Sequence, residues 1–248
     1  DEIYALGVEA ATARGDKNAQ IFIRSSQAMV FWSRGKIRES LESAEGALEF
    51  MDENTRAFPE TNAAMWAACC SAHLGMSDRA RKYSDQASNA SERTHDPYRI
   101  LSRIVMATGC ISDAAGEFDA LLEQEQQARE LVPGNVTRIG GYVKLAFAGA
   151  GAHFERGQTG AGRKLFDETV DFVHQGDDKT QTMMALPRIA HIARLTGEPA
   201  HLKFVKELLE WIEPSIHPRG WSANDPLTRA IVANIENDTQ AAKNALRE

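Results

Sequence analysis

Glycine-centred turns recur along this chain at nearly regular intervals, and they constrain its fold more than any other feature. Most successive turns are separated by about 40 residues, with one shorter and one longer interval, and self-similarity at a period of ~20–50 residues is typical of repeat proteins. We therefore expect one structural unit per turn. The turns are Arg34-Gly35-Lys36, Leu74-Gly75-Met76, Thr108-Gly109-Cys110, Arg156-Gly157-Gln158, Thr196-Gly197-Glu198 and the degenerate Glu236-Asn237-Asp238.

Small residues stand at fixed distances from these turns. Seven positions before the turn centre the residue is small in all six cases: Ala28, Ala68, Ser102, Ala150, Ala190 and Ala230. Five positions after the turn centre it is small in five of the six: Ser40, Ala80, Ala114, Gly162 and Ala242. A small side chain at one fixed point lets two helices approach closely and cross. Turns and small residues together predict repeated helical hairpins.

The remaining pattern supports an all-α chain, because runs of alternating β-branched and aromatic residues are nearly missing. We predict one continuous domain, 1–248, cut from a longer protein. Residues 1–16 would be the tail of a preceding helix, and residues 214–224, which are rich in proline, an irregular segment. The predicted helix pairs are 17–33 with 36–51, 60–74 with 77–92, 97–108 with 112–131, 136–155 with 159–174, 179–195 with 199–213, and 225–236 with 239–247.

The spacing Ala28…Gly35…Ser40…Ala47, and its counterpart beginning at Ala68, resembles the tetratricopeptide repeat. The period of about 40 residues exceeds the roughly 34 of that family, and in this it is similar to the helical sensor region of the maltose-regulon activator class of bacterial regulators. The resemblance implies a right-handed superhelical α-solenoid of about six repeats. It also implies a non-catalytic binding module, the regulatory or partner-recognition part of a bacterial transcriptional or signalling protein.

In the tetratricopeptide family the first helix of each pair lines the concave face, so the resemblance also implies a groove. Its basic and apolar side chains suit a protein or peptide partner, or a small anionic effector. The alternative is that Trp32, Phe147 and Phe154 pack between helices. The groove residues carried over by position are Phe22, Met29, Trp32, Met65, Cys69, His73, Arg99, Arg103, Met106, Lys144, Phe147, Phe154, His191 and Arg194.

The composition excludes some classes of binding partner. A net charge of −7 and a pI near 5.6 argue against direct nucleic-acid binding by this segment. No apolar run reaches the ~18 residues of a membrane span, and there is no signal peptide, so we expect a cytoplasmic protein with no membrane partner. The three cysteines imply no disulfide framework. Self-association is left open.

Histidines near the C-terminal end are candidates for chemistry. His191, His201 and His217 lie in one region, with Glu198 and Glu207 between them. A helical metal site needs ligands three or four residues apart, and these histidines are much more widely spaced, so we expect no metal, no cofactor and no catalytic residues. The rival interpretations are a helical-toroid enzyme with a site in the 191–217 region, and a plain assembly scaffold.

Two further segments lead to structural predictions. Gly149 and Gly151 inside an apolar stretch indicate close helix contact, since glycine otherwise costs a helix roughly 1 kcal/mol. The segment from Trp211 to Trp221 could be a cap or a partner-binding loop. An acidic run is expected to form a solvated outer face: Glu117, Asp119, Glu123, Glu125 and Glu130.

Overall fold

The computed structural model describes residues 2–131, 141–175, 179–212 and 225–247, and within these ranges the chain is all-α, as predicted. A π-helical segment, Ile104–Thr108, joins α6 directly to α7. The predicted irregular segment 214–224 lies outside the described residues. The helices are α1 (Glu2–Ala13), α2 (Lys17–Ser33), α3 (Ile37–Leu48), α4 (Ala57–His73), α5 (Ser77–Glu92), α6 (Pro97–Arg103), α7 (Gly109–Ala115), α8 (Phe118–Leu131), α9 (Tyr142–Glu155), α10 (Thr159–Gln175), α11 (Lys179–Thr196), α12 (Pro199–Ile212), α13 (Asp225–Ile235) and α14 (Thr239–Ala245).

The third turn lies at Gly116, seven residues later than the sequence suggested. Gly109 is buried and helical, with φ −60° and ψ −40°, and the helix continues through α7 until Gly116 ends it at φ +69°. The prediction of a turn at Gly109 is therefore wrong, as are the boundaries 97–108 and 112–131. A glycine buried inside a helix and a glycine that ends one look alike in sequence.

Correcting this turn makes the repeat regular. The turn centres now recur at an interval of about 40 residues that varies by no more than one residue along the chain. All six have positive φ in the left-handed region, which glycine and asparagine tolerate best. Gly109, seven residues before the true turn, now takes the place of the small residue. The six turn centres are Gly35, Gly75, Gly116, Gly157, Gly197 and Asn237.

The turns share a hydrogen-bond pattern. At Gly35 the backbone N–H donates to the carbonyl of Trp32 (2.9 Å), and the N–H of Lys36 donates to the carbonyl of Phe31 (2.9 Å). The same pair of bonds closes the helices at Gly75, Gly116, Gly157 and Asn237. It satisfies carbonyls that the helix end would otherwise leave unpaired. We call the helix before each turn the first helix of its hairpin, and the helix after it the second.

In two hairpins the small residues mark the helix crossing that they predicted, whereas in the third Ala114 lies before the true turn, within α7, and the residue five positions after Gly116 is Leu121. Ser40 Oγ donates a 2.6 Å hydrogen bond to the carbonyl of Ala28, twelve residues earlier on the partner helix. At the same two repeat positions in α9 and α10, a Cβ added to Gly162 would come within 3.2 Å of the Ala150 carbonyl oxygen. The two backbones are so close there that only a small residue fits.

The helices form two compact units. Unit 1 comprises the described residues up to Glu117 together with Glu130 and Leu131, and in it α2 packs on α3 and α4, while α4 packs on α5 and on the π-helical segment with α7. Unit 2 comprises Phe118–Arg129 and the described residues from Gly141 onward; in it α9 packs on α10 and α11, and α11 packs on α12 and α13. Within each unit a first helix thus contacts its hairpin partner and the next first helix.

Two first helices are buried nearly all round. The residues from Ala63 to Ala72 in α4 are all buried, and so is α9 from Tyr142 to Phe154 except at Lys144 and His153. Such helices are apolar on every face because neighbours surround them. In the described ranges no helix combines the length and the apolar character needed to cross a membrane.

Gly149 and Gly151 lie at close helix contacts, as predicted. A Cβ on Gly149 would come 3.3 Å from Leu165 Cδ2 and 3.4 Å from Glu125 Cγ. A Cβ on Gly151 would come 3.2 Å from Arg188 Cδ. These two glycines therefore let α9 approach its neighbours on opposite sides.

The acidic run is not entirely a solvated face, which corrects the prediction for Glu125. This residue is buried, and Tyr142 Oη and Arg129 Nε each donate to its Oε1 at 2.5 Å. Arg129 Nη2 also donates to Glu168 (3.3 Å), so Glu125 joins α8 to α9 through Tyr142, and Arg129 joins α8 to α10. Burial first, and the Glu125 charge second, raise the pKa of Tyr142, so its hydroxyl remains a donor.

One surface ion pair repeats with the fold. Arg81 Nη2 lies 2.6 Å from Glu117 Oε1 in unit 1, and Arg163 Nη2 lies 2.6 Å from Glu198 Oε1 in unit 2. In both pairs the arginine follows its turn glycine by six residues, and the glutamate follows the next turn glycine by one. Exposed pairs of this kind contribute little stability.

Candidate functional site

Six apolar residues predicted to line the groove lie in the core instead. All six are buried: Trp32, Met65, Cys69, Met106, Phe147 and Phe154. The Trp32 ring lies 5.8 Å from that of Trp66, and the Phe147 ring lies 5.3 Å from that of Phe166. These side chains pack between helices, which is the alternative that the sequence left open for three of them.

The other predicted groove residues differ in exposure. His73 is exposed, and its Nδ1 lies 2.8 Å from the carbonyl oxygen of Cys69. Lys144 and Arg99 are half-buried, and Arg103 is buried. Arg99 and Arg103 belong to unit 1, whereas His191 and Arg194 belong to unit 2. Each unit therefore carries its own set of predicted residues.

Three successive first helices of unit 1 place an aromatic or basic side chain on one surface. The ring centroids of Phe22 on α2 and Phe58 on α4 are 5.5 Å apart. The guanidinium carbon of Arg99 on α6 lies 3.9 Å from the Phe58 centroid, a cation–π contact. Phe22 is 42% exposed, more than any other phenylalanine in the described ranges. We call these three residues the aromatic–arginine surface.

A cleft of about 460 Å³ opens beside this surface at the start of α2 and α4. Its volume falls in the range of roughly 300–1,000 Å³ of small-molecule sites. It combines apolar walls with a carboxylate, an amide and a guanidinium. The residues that line it are Asp16, Asn18, Ala19, Phe22, Arg56, Phe58 and Pro59.

The local sequence fixes the walls of the cleft. Asp16 caps α2 by accepting a 3.0 Å hydrogen bond from the N–H of Ala19. Asn18 Oδ1 accepts from the backbone N–H of Arg56 (2.9 Å), which ties the start of α2 to the start of α4. Pro59 occupies the first turn of α4, where proline is tolerated. The cleft is thus built from helix starts held by capping hydrogen bonds.

A larger groove of about 820 Å³ runs along α5. Its charges alternate in sign, and two of its arginines are already paired, Arg93 with Glu60 and Arg81 with Glu117. Its lining has three acidic and three basic residues and no aromatic ring. We therefore favour the aromatic–arginine surface.

In unit 2 the predicted residues His191 and Arg194 form a short polar chain with Glu155. His191 Nε2 lies 2.8 Å from Glu155 Oε1, and Arg194 Nη2 lies 3.3 Å from His191 Nδ1. A neutral imidazole accepting from Arg194 and donating to Glu155 satisfies both contacts. This chain joins α11 to α9.

The two described histidines that were candidates for catalysis or metal binding contact different residues. His201 is buried against Phe166, with its Nδ1 2.8 Å from Thr196 Oγ1, whereas His191 contacts Glu155. Among the described residues, no three histidine, cysteine or acidic side chains are grouped so that they could hold a metal ion. His217 lies outside the described residues, as does most of the segment from Trp211 to Trp221.

The cysteines are all buried. Cys69 Sγ lies 3.3 Å from Cys110 Sγ, and Cys70 Sγ lies 3.0 Å from Ser40 Oγ. Burial raises the pKa of Cys70 to about 12, so this thiol stays protonated. A protonated, buried thiol is a poor nucleophile, and Cys70 acts as a packing residue.

Sequence reasoning missed Phe58, Arg56 and the buried Glu125. Glu125 stands nine residues after Gly116, and the same repeat position holds the buried residues Ala44, Ser84 and Phe166. The correct turn would therefore have indicated its burial, but the same position holds the half-buried Lys206 and the exposed Leu246 in the last two hairpins. Phe58 had a weaker signal, because the predicted helix began only at residue 60.

Comparisons of this chain with models of protein families, and with curated proteins, found no match.

Proposed function

We propose that this chain is a non-catalytic binding module that recognises a protein or peptide partner, or a small anionic effector, on the first helices of its hairpins. The observation that carries this proposal is the aromatic–arginine surface of unit 1. Phe22 is 42% exposed and lines a cleft. Aromatic residues, phenylalanine among them, and arginine are enriched at protein interfaces.

A second part of the proposal concerns the architecture of the whole chain and its role in a larger protein. The hairpins would continue as a right-handed superhelical α-solenoid, in one domain that forms the regulatory or partner-recognition part of a bacterial transcriptional or signalling protein. It is supported by the regular interval between turn centres and by the packing of first helix on first helix within each unit.

Small-angle scattering tests the solenoid. A compact protein of this length has a radius of gyration of about 18 Å, and an open array must exceed that value clearly. A radius close to the compact value would contradict the solenoid and favour a closed arrangement such as a toroid.

A thermal-shift screen tests the binding proposal. The purified chain is screened against metabolites, nucleotides and acidic peptides, because a ligand that binds only the folded state raises the melting temperature. We expect a hit whose effect is lost in Phe22→Ser and in Arg99→Met. Leu195→Ser is the matched control, since Leu195 is an exposed apolar residue on α11 of unit 2. A hit that all three variants retain would place binding elsewhere.

A further inference from the structure

Arg103 has an unusual environment for an arginine. It lies at the end of α6, only 9% exposed, and its Nε is fully buried without a hydrogen-bond partner among the described residues. Its two terminal nitrogens make no hydrogen bond or ion pair within the described residues either, yet they are not fully buried. The stem of the side chain is therefore enclosed while the end of the guanidinium reaches the accessible surface.

A buried charge without a partner is costly, and folded proteins nearly always satisfy such groups. Burial lowers the pKa of Arg103, and the charge of Glu92 opposes this only in part. An arginine nevertheless stays protonated in proteins. Its positive charge is therefore only partly balanced within the described chain, by Glu92 and without a hydrogen bond, and the accessible end of the guanidinium is free to bind an anion.

The position of Arg103 connects it with the aromatic–arginine surface. It follows Arg99 by four residues, so both side chains lie on one face of the helix. Helical side chains lean toward the N-terminus, which extends Arg103 over the turn that carries Arg99. Arg99 in turn lies over the half-buried Phe58 ring, which is next to the exposed Phe22 ring, and its Nε lies 3.7 Å from Asp96 Oδ2. Arg103 thus shares a helix face with a guanidinium that contacts the aromatic pair.

We infer that Arg103, together with Arg99, binds the oxyanion of an amphipathic anion whose apolar group lies on Phe22 and Phe58. The oxyanion is a carboxylate or a phosphate, both of which a guanidinium holds through two parallel N–H bonds. The partly desolvated setting strengthens this charge-assisted contact. This inference rests on the proposed function, because it names the ligand class of the same surface.

The test compares probes that differ only in charge. N-acetyl-phenylalanine and its uncharged amide are titrated into the full chain, with phenyl phosphate as the phosphate counterpart, at up to roughly 10 mM to detect millimolar dissociation constants. We expect the acid or the phosphate to bind roughly tenfold more tightly than the amide. The tighter of the two identifies the oxyanion.

Variants separate this inference from the proposed function. Arg103→Met should reduce binding of the anionic probe to the level of the amide, whereas Phe22→Ser should weaken both probes. If acid and amide bind alike and Arg103→Met changes neither, the anion site is overturned while the binding surface stands. If none of the probes binds, the anion site is overturned, and the thermal-shift screen decides the proposed function.

Two controls address folding. Because Arg103→Met removes an unpaired buried charge and keeps a side chain of similar shape, its melting temperature without probe should be no lower than that of the wild type. A marked fall would overturn the premise that Arg103 is unpaired. Arg103→Lys keeps the charge but loses the planar fork, so it should bind the anionic probe with intermediate affinity; binding equal to the wild type would contradict the guanidinium contact.

Discussion

Ser40 Oγ donates a 2.6 Å hydrogen bond to the carbonyl oxygen of Ala28 at the crossing of α2 and α3, and it also accepts from Cys70 Sγ on α4. One fully buried hydroxyl therefore connects three helices of unit 1. Its size matters as much as its hydrogen bonds, because the same position in another hairpin is glycine.

Replacing Ser40 should separate these two contributions. Ser40→Ala keeps the space and loses the hydrogen bonds, so it should lower the free energy of unfolding by about 1 kcal/mol. Ser40→Val also adds bulk against the α2 backbone and should cost about 1–3 kcal/mol more. Urea denaturation measures both. Ser26→Ala is the matched control, because the Ser26 hydroxyl bonds only within α2; equal losses in all three variants would refute a tight crossing.

Two glycines in α10 offer a sharper comparison. A Cβ on Gly162 would lie 3.1 Å from the Phe154 ring and 3.2 Å from the Ala150 carbonyl oxygen, whereas a Cβ on Gly160 would meet nothing within 4 Å. Gly162→Ala should therefore destabilise unit 2 by about 1–3 kcal/mol through overpacking. Gly160→Ala should be neutral or stabilising by up to about 1 kcal/mol, because alanine favours helix.

Thermal and urea unfolding of the two glycine variants measure this difference. Opposite signs are expected from identical substitutions two residues apart. If Gly162→Ala were as stable as Gly160→Ala, the helices of this hairpin would have to be farther apart than they are in the structure.

The hairpins could be predicted from sequence because glycine turns and small crossing residues leave a local and periodic signal. The error at Gly109 arose where that signal is ambiguous, because glycine both ends helices and occupies close contacts inside them.

The candidate site was harder to predict. Exposure of a first-helix residue depends on which helices surround it, and the burial of Met65 and Phe147 follows from neighbours on every side of α4 and α9. Phe58 joins the surface through contacts with Phe22 and Arg99, each of which belongs to another hairpin. No local pattern carries such long-range information.

The buried carboxylate of unit 2 should be coupled to its tyrosine. Tyr142→Phe removes one hydrogen bond to Glu125 and should cost about 1 kcal/mol. Glu125→Ala leaves the Tyr142 hydroxyl without its acceptor and opens a cavity, so it should cost about 2–4 kcal/mol. In the double variant the losses should not add, because both variants remove the same contact.

A double-mutant cycle in urea measures this coupling. Glu123→Ala serves as the control, since Glu123 is an exposed neighbour on α8. Strict additivity of the Tyr142 and Glu125 variants would mean that the hydrogen bond contributes nothing to stability.

The stability of unit 2 should depend on pH through His201. This imidazole is buried among Phe154 and Phe166, and desolvation lowers its pKa, against the opposing charges of Glu198 and Asp167 and with a small further lowering by Arg163. A lowered pKa in the folded state means that the unfolded state binds the proton more readily. The stabilisation is therefore fully present above the unfolded pKa of about 6.5, and it is lost as the pH falls through the folded value.

His201→Phe keeps an aromatic ring in the cluster and removes the titrating group. Unfolding midpoints of wild type and variant are measured in urea from about pH 8 down to about pH 5. The difference between them should be constant above about pH 7 and should shift in favour of the variant as the pH falls, because only the wild type gains a proton at this position when unfolding exposes the ring. Parallel profiles across the whole range would show that His201 does not contribute to the pH dependence, and a shift in favour of the wild type at low pH would reverse the assigned direction of its pKa.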